Sequence, residues 1–298
     1  MMPRPDVLER AYCRVLFVLR RATIAGYRVR GIARFCEYIR RWVARHPPLK
    51  PLVIHDFRGN AKFVCYLSEH MGSQIFLRGS YSQYILQTIE KALKPDSIFV
   101  DVGANQGEFT VAAARLLTEG KVIAIEPVSK WVCRLQDNVC LNDFKNITVL
   151  QVALGAKAET RPVYNTPQAF SDGTHNDGLT SLFPSAQRTV VVEHVHVERW
   201  DDVMSRMGIP KVDVMKLDIE GGEWYALQGA QQTLERFRPV LFFELETEHC
   251  RNAGYEAEDF LQWLVQLGYR LERIQKDKTV PIRPKDILPS QNVVAYPE

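Results

Sequence analysis

Two acidic residues next to a glycine-containing turn are the side chains of this sequence best suited to binding a ligand. The stretch VDVGANQGEFT carries Asp101 near the end of an apolar run and continues into a turn with Gly103, Asn105 and Gly107. Backbone N–H groups of such a turn can approach a ligand closely. Glu126 follows a second apolar run, where a carboxylate can accept hydrogen bonds from two ribose hydroxyls. The pattern predicts a nucleoside-binding site.

The same turn argues against the two commonest nucleotide sites. Asn105 stands where the second glycine of Gly-x-Gly-x-x-Gly would admit a pyrophosphate, which disfavours NAD and FAD. No Gly-Lys-Ser/Thr follows, so a P-loop is excluded. S-adenosylmethionine fits what remains, because turn amides and a nearby carboxylate can hold its amino-acid end. An ordinary turn whose glycines serve only the backbone is the alternative, and Asp101 and Glu126 disfavour it.

A second acidic segment, MKLDIEGGEW, repeats the form of an apolar strand, a carboxylate, a glycine turn and a helix. Ligands of open α/β sheets bind beyond the carboxyl ends of the strands. Four carboxylates are predicted at such ends: Asp101, Glu126, Asp218 and Glu244. An acidic crevice suits a sulfonium cofactor and a hydroxyl acceptor, and it repels phosphates. For Glu223, inside the following helix, a first-turn charge is favoured over a chemical role.

Strands and helices alternate regularly, which predicts a parallel sheet covered on both faces. The predicted strands are 97–102, 121–125, 147–152, 189–197, 212–217, 239–243, 269–274 and 292–296, and the predicted helices are 82–93, 107–118, 128–141, 222–236 and 256–267. The last two strands are expected to form an antiparallel edge hairpin. Residues 52–79 are interpreted as short strands around turns, one of them at His70-Met71-Gly72.

Three blocks, read in order, resemble FkbM-type S-adenosylmethionine-dependent methyltransferases. They are FVDVGANQGEFT at 99–110, KLDIEGGE at 216–223 with LQGA behind it, and NVVAYP at 292–297. The resemblance covers roughly residues 75–298 and omits the first fifty. It implies a Rossmann-like methyltransferase fold with a mostly parallel seven-stranded sheet, and O-methylation of sugars, polyketides or other natural products. The Gly79–Ser82 turn departs from the family, whose members often carry a glutamate there.

Methyl transfer requires the acceptor oxygen, the methyl and the sulfur in line, with a base for the hydroxyl. We assign the methionine end of the cofactor to Asp101, Gly103, Asn105 and Gly107, and the ribose to Glu126. Ala153 and Leu154, at the end of the third strand, complete the predicted cofactor set. The predicted catalytic residues are Asp218, nearest the methyl, and then Glu220 and Glu244 as base or acceptor-binding groups. These carboxylates also suit a divalent cation, which is not expected.

The predicted acceptor is a hydroxyl of a saccharide, glycan or natural product, and the polar stretch 156–188 is expected to cover it. His175 in this stretch is a candidate base, whereas His194 and His196 alternate on a strand and are expected to be exposed. Two other functions stay open at this point. One is a scaffold that keeps the cofactor fold without catalysis, and the other is an NAD-dependent sugar-modifying enzyme, which Asn105 disfavours.

The first fifty residues carry a net charge of +9, and the remaining 248 carry −6. Apolar residues recur here at helical spacing and form a stripe: Val29, Ile32, Cys36, Ile39 and Val43. The arginines of the same segment fall largely outside this stripe: Arg28, Arg30, Arg34, Arg40, Arg41 and Arg45. A basic amphipathic helix of this kind can lie on an anionic membrane surface, with Trp42 at the interface. Packing on the protein's own core and pairing in a homodimer are the alternatives. Nucleic acid is not expected as a partner.

Prolines at 47, 48 and 51 interrupt the helical pattern and mark a boundary. The predicted division is a basic helical extension at 1–46, lead-in strands and a helix at 52–94, and a cofactor-binding domain at 95–298. Six scattered cysteines with no CxxC indicate reduced thiols in the cytoplasm. No apolar run approaches the roughly 18 residues of a membrane span, so any membrane association is expected to be peripheral, at the inner face.

Overall fold

The computed structural model of the chain describes residues 5–27, 29, 31–165, 180–276 and 278–298. Among these, the residues up to 82 form one compact unit and those from 83 onward form a second. The division predicted at 1–46, 52–94 and 95–298 stays a prediction. Arg28, Arg30, His175 and the centre of the predicted 156–188 loop lie outside the described residues.

The first unit begins with two helices and continues with a hairpin and a third helix. Its elements are α1 (Pro5–Gly26), α2 (Ala33–Arg45), β1 (Leu52–Phe57), β2 (Ala61–Cys65) and α3 (His70–Arg78), and β1 pairs antiparallel with β2. The turn predicted at His70-Met71-Gly72 was wrong, because α3 starts there. A Cβ on Gly72 would lie 2.3 Å from the backbone oxygen of Tyr66, so this glycine permits close backbone packing.

The predicted apolar stripe of the basic helix is divided between two environments. Cys36 and Val43 are buried in α2, whereas Val29 and Ile32, which precede the helix, are exposed. Arg40 is also buried, where its Nη1 donates to Ser73 Oγ at 3.0 Å. The buried side of α2 therefore packs on protein, as one of the open alternatives expected.

The second unit alternates helices and strands, as predicted. Its elements are α4 (Gln83–Ala92), β3 (Ile98–Val102), α5 (Glu108–Ala114), β4 (Lys121–Ile125), α6 (Ser129–Leu141), β5 (Ile147–Leu150), β6 (Ala153–Leu154), β7 (Glu159–Asn165), β8 (Val190–Glu198), α7 (Trp200–Met207), β9 (Val214–Leu217), α8 (Glu223–Gln228), α9 (Gln231–Phe237), β10 (Val240–Glu246), α10 (Thr247–Asn252), α11 (Ala257–Gln266), β11 (Tyr269–Ile274), β12 (Thr279–Pro281) and β13 (Ser290–Pro297).

The main sheet has the order β12-β11-β13-β10-β9-β3-β4-β5. Neighbouring strands from β10 through β9, β3 and β4 to β5 pair in parallel, and β13 runs antiparallel to both β10 and β11. The Rossmann-like α/β class is confirmed. The strand count is eight where seven were predicted, because the short β12 extends the edge. The two late strands do pair antiparallel, but β13 lies inside the sheet and β11–β12 forms the edge.

One predicted strand and one predicted helix are each interrupted, the strand because its last residues join another sheet and the helix because of a close backbone contact. The third strand ends at Leu150, and Ala153–Leu154 pairs instead with β8 in a separate sheet of order β6-β8-β7. The helix predicted at 222–236 is divided at Gly229, where a Cβ would lie 2.1 Å from the backbone oxygen of Gly155. None of the described helices is long and apolar enough to cross a bilayer.

The core of the main sheet is almost entirely apolar. Every residue of β3 and of β9 is buried, which is the pattern of central parallel strands. Burying one Val, Leu, Ile or Phe side chain stabilises the fold by roughly 1.5–3 kcal/mol. Asp101 in β3 and Lys216 in β9 are the charged exceptions in these two strands, and their position marks the candidate site.

Candidate active site

The turn between β3 and α5 needs left-handed backbone at three residues. Gly103, Asn105 and Gly107 have φ values of +76°, +49° and +93°. Crowding also demands the glycines, since a Cβ at Gly103 would lie 2.1 Å from the backbone oxygen of Asp218, and one at Gly107 would lie 2.6 Å from a methyl carbon of Leu135. Asparagine tolerates this conformation better than most residues, so the sequence of the turn follows from its geometry.

Glu126 lies directly after β4 and faces this turn. Its Oε2 accepts a hydrogen bond from the Asn105 N–H at 2.9 Å, and its Oε1 accepts one from the Val128 N–H at 3.0 Å. Each carboxylate oxygen can accept a second hydrogen bond. Burial raises the pKa of Glu126 to about 7. The side chain therefore suits a ligand with two neighbouring hydroxyl donors, as a ribose has.

Asp101 and Lys216 form a buried pair across two neighbouring strands. The two residues are in register, and Lys216 Nζ lies 3.3 Å from Asp101 Oδ1, while Asp101 Oδ2 accepts a hydrogen bond from Thr110 Oγ1 at 2.6 Å. Lys216 Nζ also donates to the Gly103 backbone oxygen at 3.0 Å and lies 3.6 Å from Asp218 Oδ2. Lys216 thus connects the turn to the acidic segment.

Lys216 remains charged in this position. Burial alone would lower its pKa, but the carboxylates of Asp101 and Asp218 outweigh burial, so the pKa is raised. No role for Lys216 was predicted from the sequence. A lysine within an apolar strand, two residues before an acidic strand end, was the available signal.

The three predicted catalytic residues lie together near the carboxyl ends of β9 and β10. Glu244 is within β10, which continues to Glu246, and not directly after a strand ending at 243 as predicted. Asp218, Glu220 and Glu244 each place one ligand oxygen within 4.8 Å of the others. The Asp218 side chain is 39% exposed, whereas that of Glu220 is 8% exposed. Burial raises the pKa of Glu220 to about 8, against the opposing effect of Arg188. Burial and neighbouring acids also raise the pKa of Glu244.

The turn that follows Asp218 is held in an uncommon conformation. Glu220 has a φ of +56° and Gly221 a φ of +103°, and a Cβ on Gly221 would lie 2.7 Å from the His249 backbone oxygen. Glu223 accepts hydrogen bonds from the Ile219 N–H at 2.9 Å and the Gly221 N–H at 3.0 Å. Glu223 therefore serves the turn, as its position in the first helical turn indicated.

Two further residues complete this cluster. Arg188 forms a buried ion pair with Glu220, and its Nη2 donates to His249 Nε2 at 3.1 Å. His249 Nδ1 lies 3.1 Å from Glu220 Oε2. Burial and the Arg188 charge lower the pKa of His249 to about 4, so the imidazole is neutral. Accepting from Arg188 at Nε2 leaves the proton on Nδ1, which donates to Glu220.

Arg188 and His249 were not predicted from the sequence, for different reasons. Arg188 lies in a polar stretch with no motif, so no local signal identified it. His249 lies just after β10, at the same edge as Glu244, and this position was the signal that could have found it. His194 and His196 are exposed on β8, as expected.

Ala153 and Leu154 occupy a different setting from the other predicted cofactor residues. Both side chains are buried, and Leu154 belongs to the main apolar core while Ala153 packs with Val128 and Trp131. Their strand pairs with β8 and lies outside the main sheet. Their contact with a cofactor stays a prediction.

Comparison with known proteins identifies the family of this arrangement. Residues 101–271 match the methyltransferase FkbM domain. The methyltransferase sdnD of Sordaria araneosa is 26% identical over 162 residues, which cover 47% of this chain and 62% of sdnD. The hexuronic acid methyltransferase AglP of Haloferax volcanii is 23% identical over 255 residues, which cover 84% of this chain and 95% of AglP.

A crystal structure of a methyltransferase FkbM from Methylobacillus flagellatus KT is also similar. It is 18% identical with a TM-score of 0.45, and the match covers 68% of this chain and 44% of that one. The chain thus spans less than two thirds of sdnD and less than half of the crystallised protein. The family match includes both acidic segments and more than half of the sequence, and the chain belongs to the methyltransferase FkbM domain family.

Proposed function

We propose that the protein transfers a methyl group from S-adenosylmethionine to a hydroxyl oxygen of a saccharide-type acceptor. The observation that carries this proposal is the position of Lys216, whose ammonium group contacts both the Gly103 carbonyl and Asp218. A donor held at the Gly103 turn and an acceptor held at the acidic cluster would therefore be neighbours, as methyl transfer demands.

The cofactor supplies an electrophilic methyl when bound, and the residues at the turn suit the rest of the molecule. Glu126 presents two oxygens with free acceptor capacity to a ribose diol. Gly103, Asn105 and Gly107 shape the turn that would hold the methionine end. Asp101 is fully buried and bonded to Thr110, so we propose that it acts there through Lys216 and the turn.

On the acceptor side, Asp218 is our first candidate for the base. Its partly exposed carboxylate can accept a hydrogen bond from the acceptor hydroxyl and then its proton as the new C–O bond forms. We assign Glu220 and Glu244 to acceptor hydroxyls, since each places a carboxyl oxygen in the same cluster as Asp218, where it can accept a hydrogen bond. Arg188 and His249 hold Glu220 in place.

A saccharide acceptor is supported by two observations. The cluster offers several hydrogen-bonding oxygens within a small volume, which suits a polyol. The relative AglP is named for a hexuronic acid acceptor. The same three carboxylates have the ligand chemistry for a divalent cation, and we propose that transfer proceeds without one. Activity that is abolished by EDTA and restored by Mg²⁺ or Ca²⁺ would contradict that choice.

The test begins with isothermal titration of S-adenosylhomocysteine into the full chain, with NAD as the comparison. Micromolar binding of S-adenosylhomocysteine alone is expected, and Glu126→Ala should remove it. Tritiated S-adenosylmethionine with a panel of neutral and uronic acid oligosaccharides then tests transfer. Absence of binding by folded protein overturns the proposal. Binding without transfer to any hydroxyl acceptor favours the scaffold alternative.

The chain's six cysteines are free thiols, which supports a reducing compartment such as the cytoplasm for this reaction. Protein isolated under thiol-blocking conditions should show no disulfide-linked species on a non-reducing gel. When the protein is unfolded without reductant, a thiol reagent should label all six cysteines.

A further inference from the structure

Helix α1 carries an exposed apolar row along its length. The row recurs at spacings of three and four residues, which places its members on one face of the helix, and Val18 in it is 68% exposed. Its members are Leu8, Ala11, Val15, Val18, Ala22 and Ala25. Leu16, Arg20 and Thr23 occupy the opposite, buried face. The apolar row is therefore additional to the face that packs on the protein.

Helix α2 repeats this arrangement with larger side chains. Phe35 and Tyr38 are 62% and 67% exposed, and Trp42 follows one turn later on the same face. Cys36 and Val43 lie on the other side of the helix and are buried. The aromatic row of α2 is thus a second apolar face that this unit leaves open.

Arginines lie beside each apolar row. All six are exposed, and helical geometry places each set next to its row on the open half of the helix: Arg10, Arg14 and Arg21 in α1, and Arg34, Arg41 and Arg45 in α2. Of the acidic side chains described in the two helices, Glu9 accepts a hydrogen bond from the Leu49 N–H. Glu37 pairs with the buried Arg40 and with one of the six exposed arginines, Arg41, whose Nε lies 3.3 Å from Glu37 Oε1.

A ring contact joins the two helices at this surface. Tyr12 of α1 and Trp42 of α2 meet edge to face, with their centroids 6.4 Å apart. The open rows of α1 and α2 and their arginines therefore belong to one packed pair of helices. We call these two rows and six arginines the arm surface.

We propose that the arm surface binds the anionic headgroup region of a phospholipid membrane, with the apolar rows inserted among the acyl chains. Apolar rows flanked by arginine, with tyrosine and tryptophan present, are the composition of helices that lie in the interface. The positive charge of the arm surface favours an anionic membrane over a second copy of this chain, because in a dimer the arginines of the two copies would repel each other. This inference is independent of the proposed methyl transfer.

Vesicle sedimentation of the full chain tests the proposal. Binding to phosphatidylglycerol-containing vesicles is expected, with little binding to pure phosphatidylcholine and a loss of binding in high salt. Arg14→Glu with Arg21→Glu should weaken binding at least about tenfold, and Arg14→Lys with Arg21→Lys should retain it. The control Lys94→Glu with Lys145→Glu makes the same charge change at exposed lysines outside the arm surface and should bind normally.

The apolar rows need their own variants. Val18→Ser with Tyr38→Ser should reduce binding at constant charge, whereas Val265→Ser, an exposed apolar residue of the second unit, should not. Circular dichroism of each variant verifies that helix content is kept. Wild-type protein that does not bind, or binding that Arg14→Glu with Arg21→Glu leaves unchanged, overturns the proposal. A dimer in analytical ultracentrifugation that Val18→Ser with Tyr38→Ser dissociates assigns the surface to a second copy and also overturns it.

Discussion

The backbone oxygen of Asp218 lies 2.1 Å from the position that a Cβ on Gly103 would occupy. The Asp218 N–H also donates to the Val102 backbone oxygen at 3.1 Å, so the two strand ends are in direct contact. The turn proposed to hold the cofactor and the first candidate for the base therefore share one rigid backbone junction. Any side chain at residue 103 must displace that junction.

Replacing Gly103 with alanine is expected to destabilise the protein and to remove S-adenosylhomocysteine binding. A left-handed residue other than glycine costs roughly 1–2 kcal/mol, and the overpacked Cβ adds roughly 1–3 kcal/mol. Gly208→Ala is the matched control, because Gly208 also has a positive φ, of +60°, but its Cβ would meet nothing within 4 Å. Urea unfolding and calorimetric titration measure both effects. Equal losses in the two variants would show that crowding by Asp218 has no effect.

Lys216→Met is expected to destabilise the fold strongly, because it leaves Asp101 buried without its cation. Removing one partner of a buried pair typically costs 3–5 kcal/mol. Lys211→Met removes a partly exposed lysine that pairs with Asp213 at 3.0 Å, and it should cost no more than about 1 kcal/mol.

The double variant Lys216→Met with Asp101→Asn tests the interaction between these two residues in a second way. The uncompensated charge is absent from the double variant, so unfolding free energy should recover in part relative to Lys216→Met alone. Additive losses in the two single variants would contradict a direct interaction between Asp101 and Lys216.

The raised pKa of Glu126 leads us to expect that cofactor binding depends on pH. Its pKa of about 7 in the free protein means that part of the population is protonated near neutrality. Ribose hydroxyls that donate hydrogen bonds favour the ionised carboxylate. The affinity for S-adenosylhomocysteine should therefore rise about tenfold between pH 6 and pH 8, as the ionised fraction rises. Titration across this range measures the slope, and Glu126→Gln should flatten it.

Glu223→Gln is the matched control for this experiment. Glu223 is buried, accepts two backbone hydrogen bonds and has a pKa raised to about 7 by burial, but its partners belong to its own turn. The slope of affinity with pH should therefore persist in Glu223→Gln. A pKa raised on folding stabilises the protein at pH values below the unfolded pKa, and that effect is lost as pH rises through about 7, so Glu223→Gln should change the pH dependence of unfolding. The amide has one acceptor oxygen for the two backbone N–H groups, so the variant should also lower the free energy of unfolding.

The sequence predicted the parts of the fold that depend on local pattern. The strand at 121–125 and the acidic residues at strand ends followed from apolar runs, and Glu223 followed from its place in a first helical turn. Close backbone contacts were not visible in the same way. Gly72 and Gly229 were interpreted as a turn residue and a helix residue, because the backbone that crowds them belongs to other segments of the chain, at Tyr66 and Gly155.

In the candidate site, too, some residues could be predicted from local sequence and others are brought in only by tertiary structure. Asp218 and Glu244 were predicted from strand ends and Glu220 from the acidic segment that follows Asp218, and tertiary structure brought their oxygens within 4.8 Å of one another. Arg188 approaches Glu220 from 32 residues earlier in the chain, and no periodicity encodes that contact. A buried carboxylate requires a partner, but no partner for Glu220 was predicted from the sequence.

Asp218→Asn separates the role of this side chain from that of the backbone junction. The amide keeps nearly the same shape but cannot take the proton of an acceptor hydroxyl, so turnover should fall by about 10²–10⁴-fold. The affinity for S-adenosylhomocysteine should stay within about threefold of wild type, because the contact with Gly103 is made by the backbone. The measurement is the rate of tritium transfer to the best acceptor of the oligosaccharide panel, with titration alongside. Asp202→Asn, at a largely exposed acid of α7 that lies 3.5 Å from Arg199, should leave both values unchanged. Full turnover by Asp218→Asn would remove it as the base and leave Glu220 and Glu244 as the groups to test, because their oxygens lie in the same cluster.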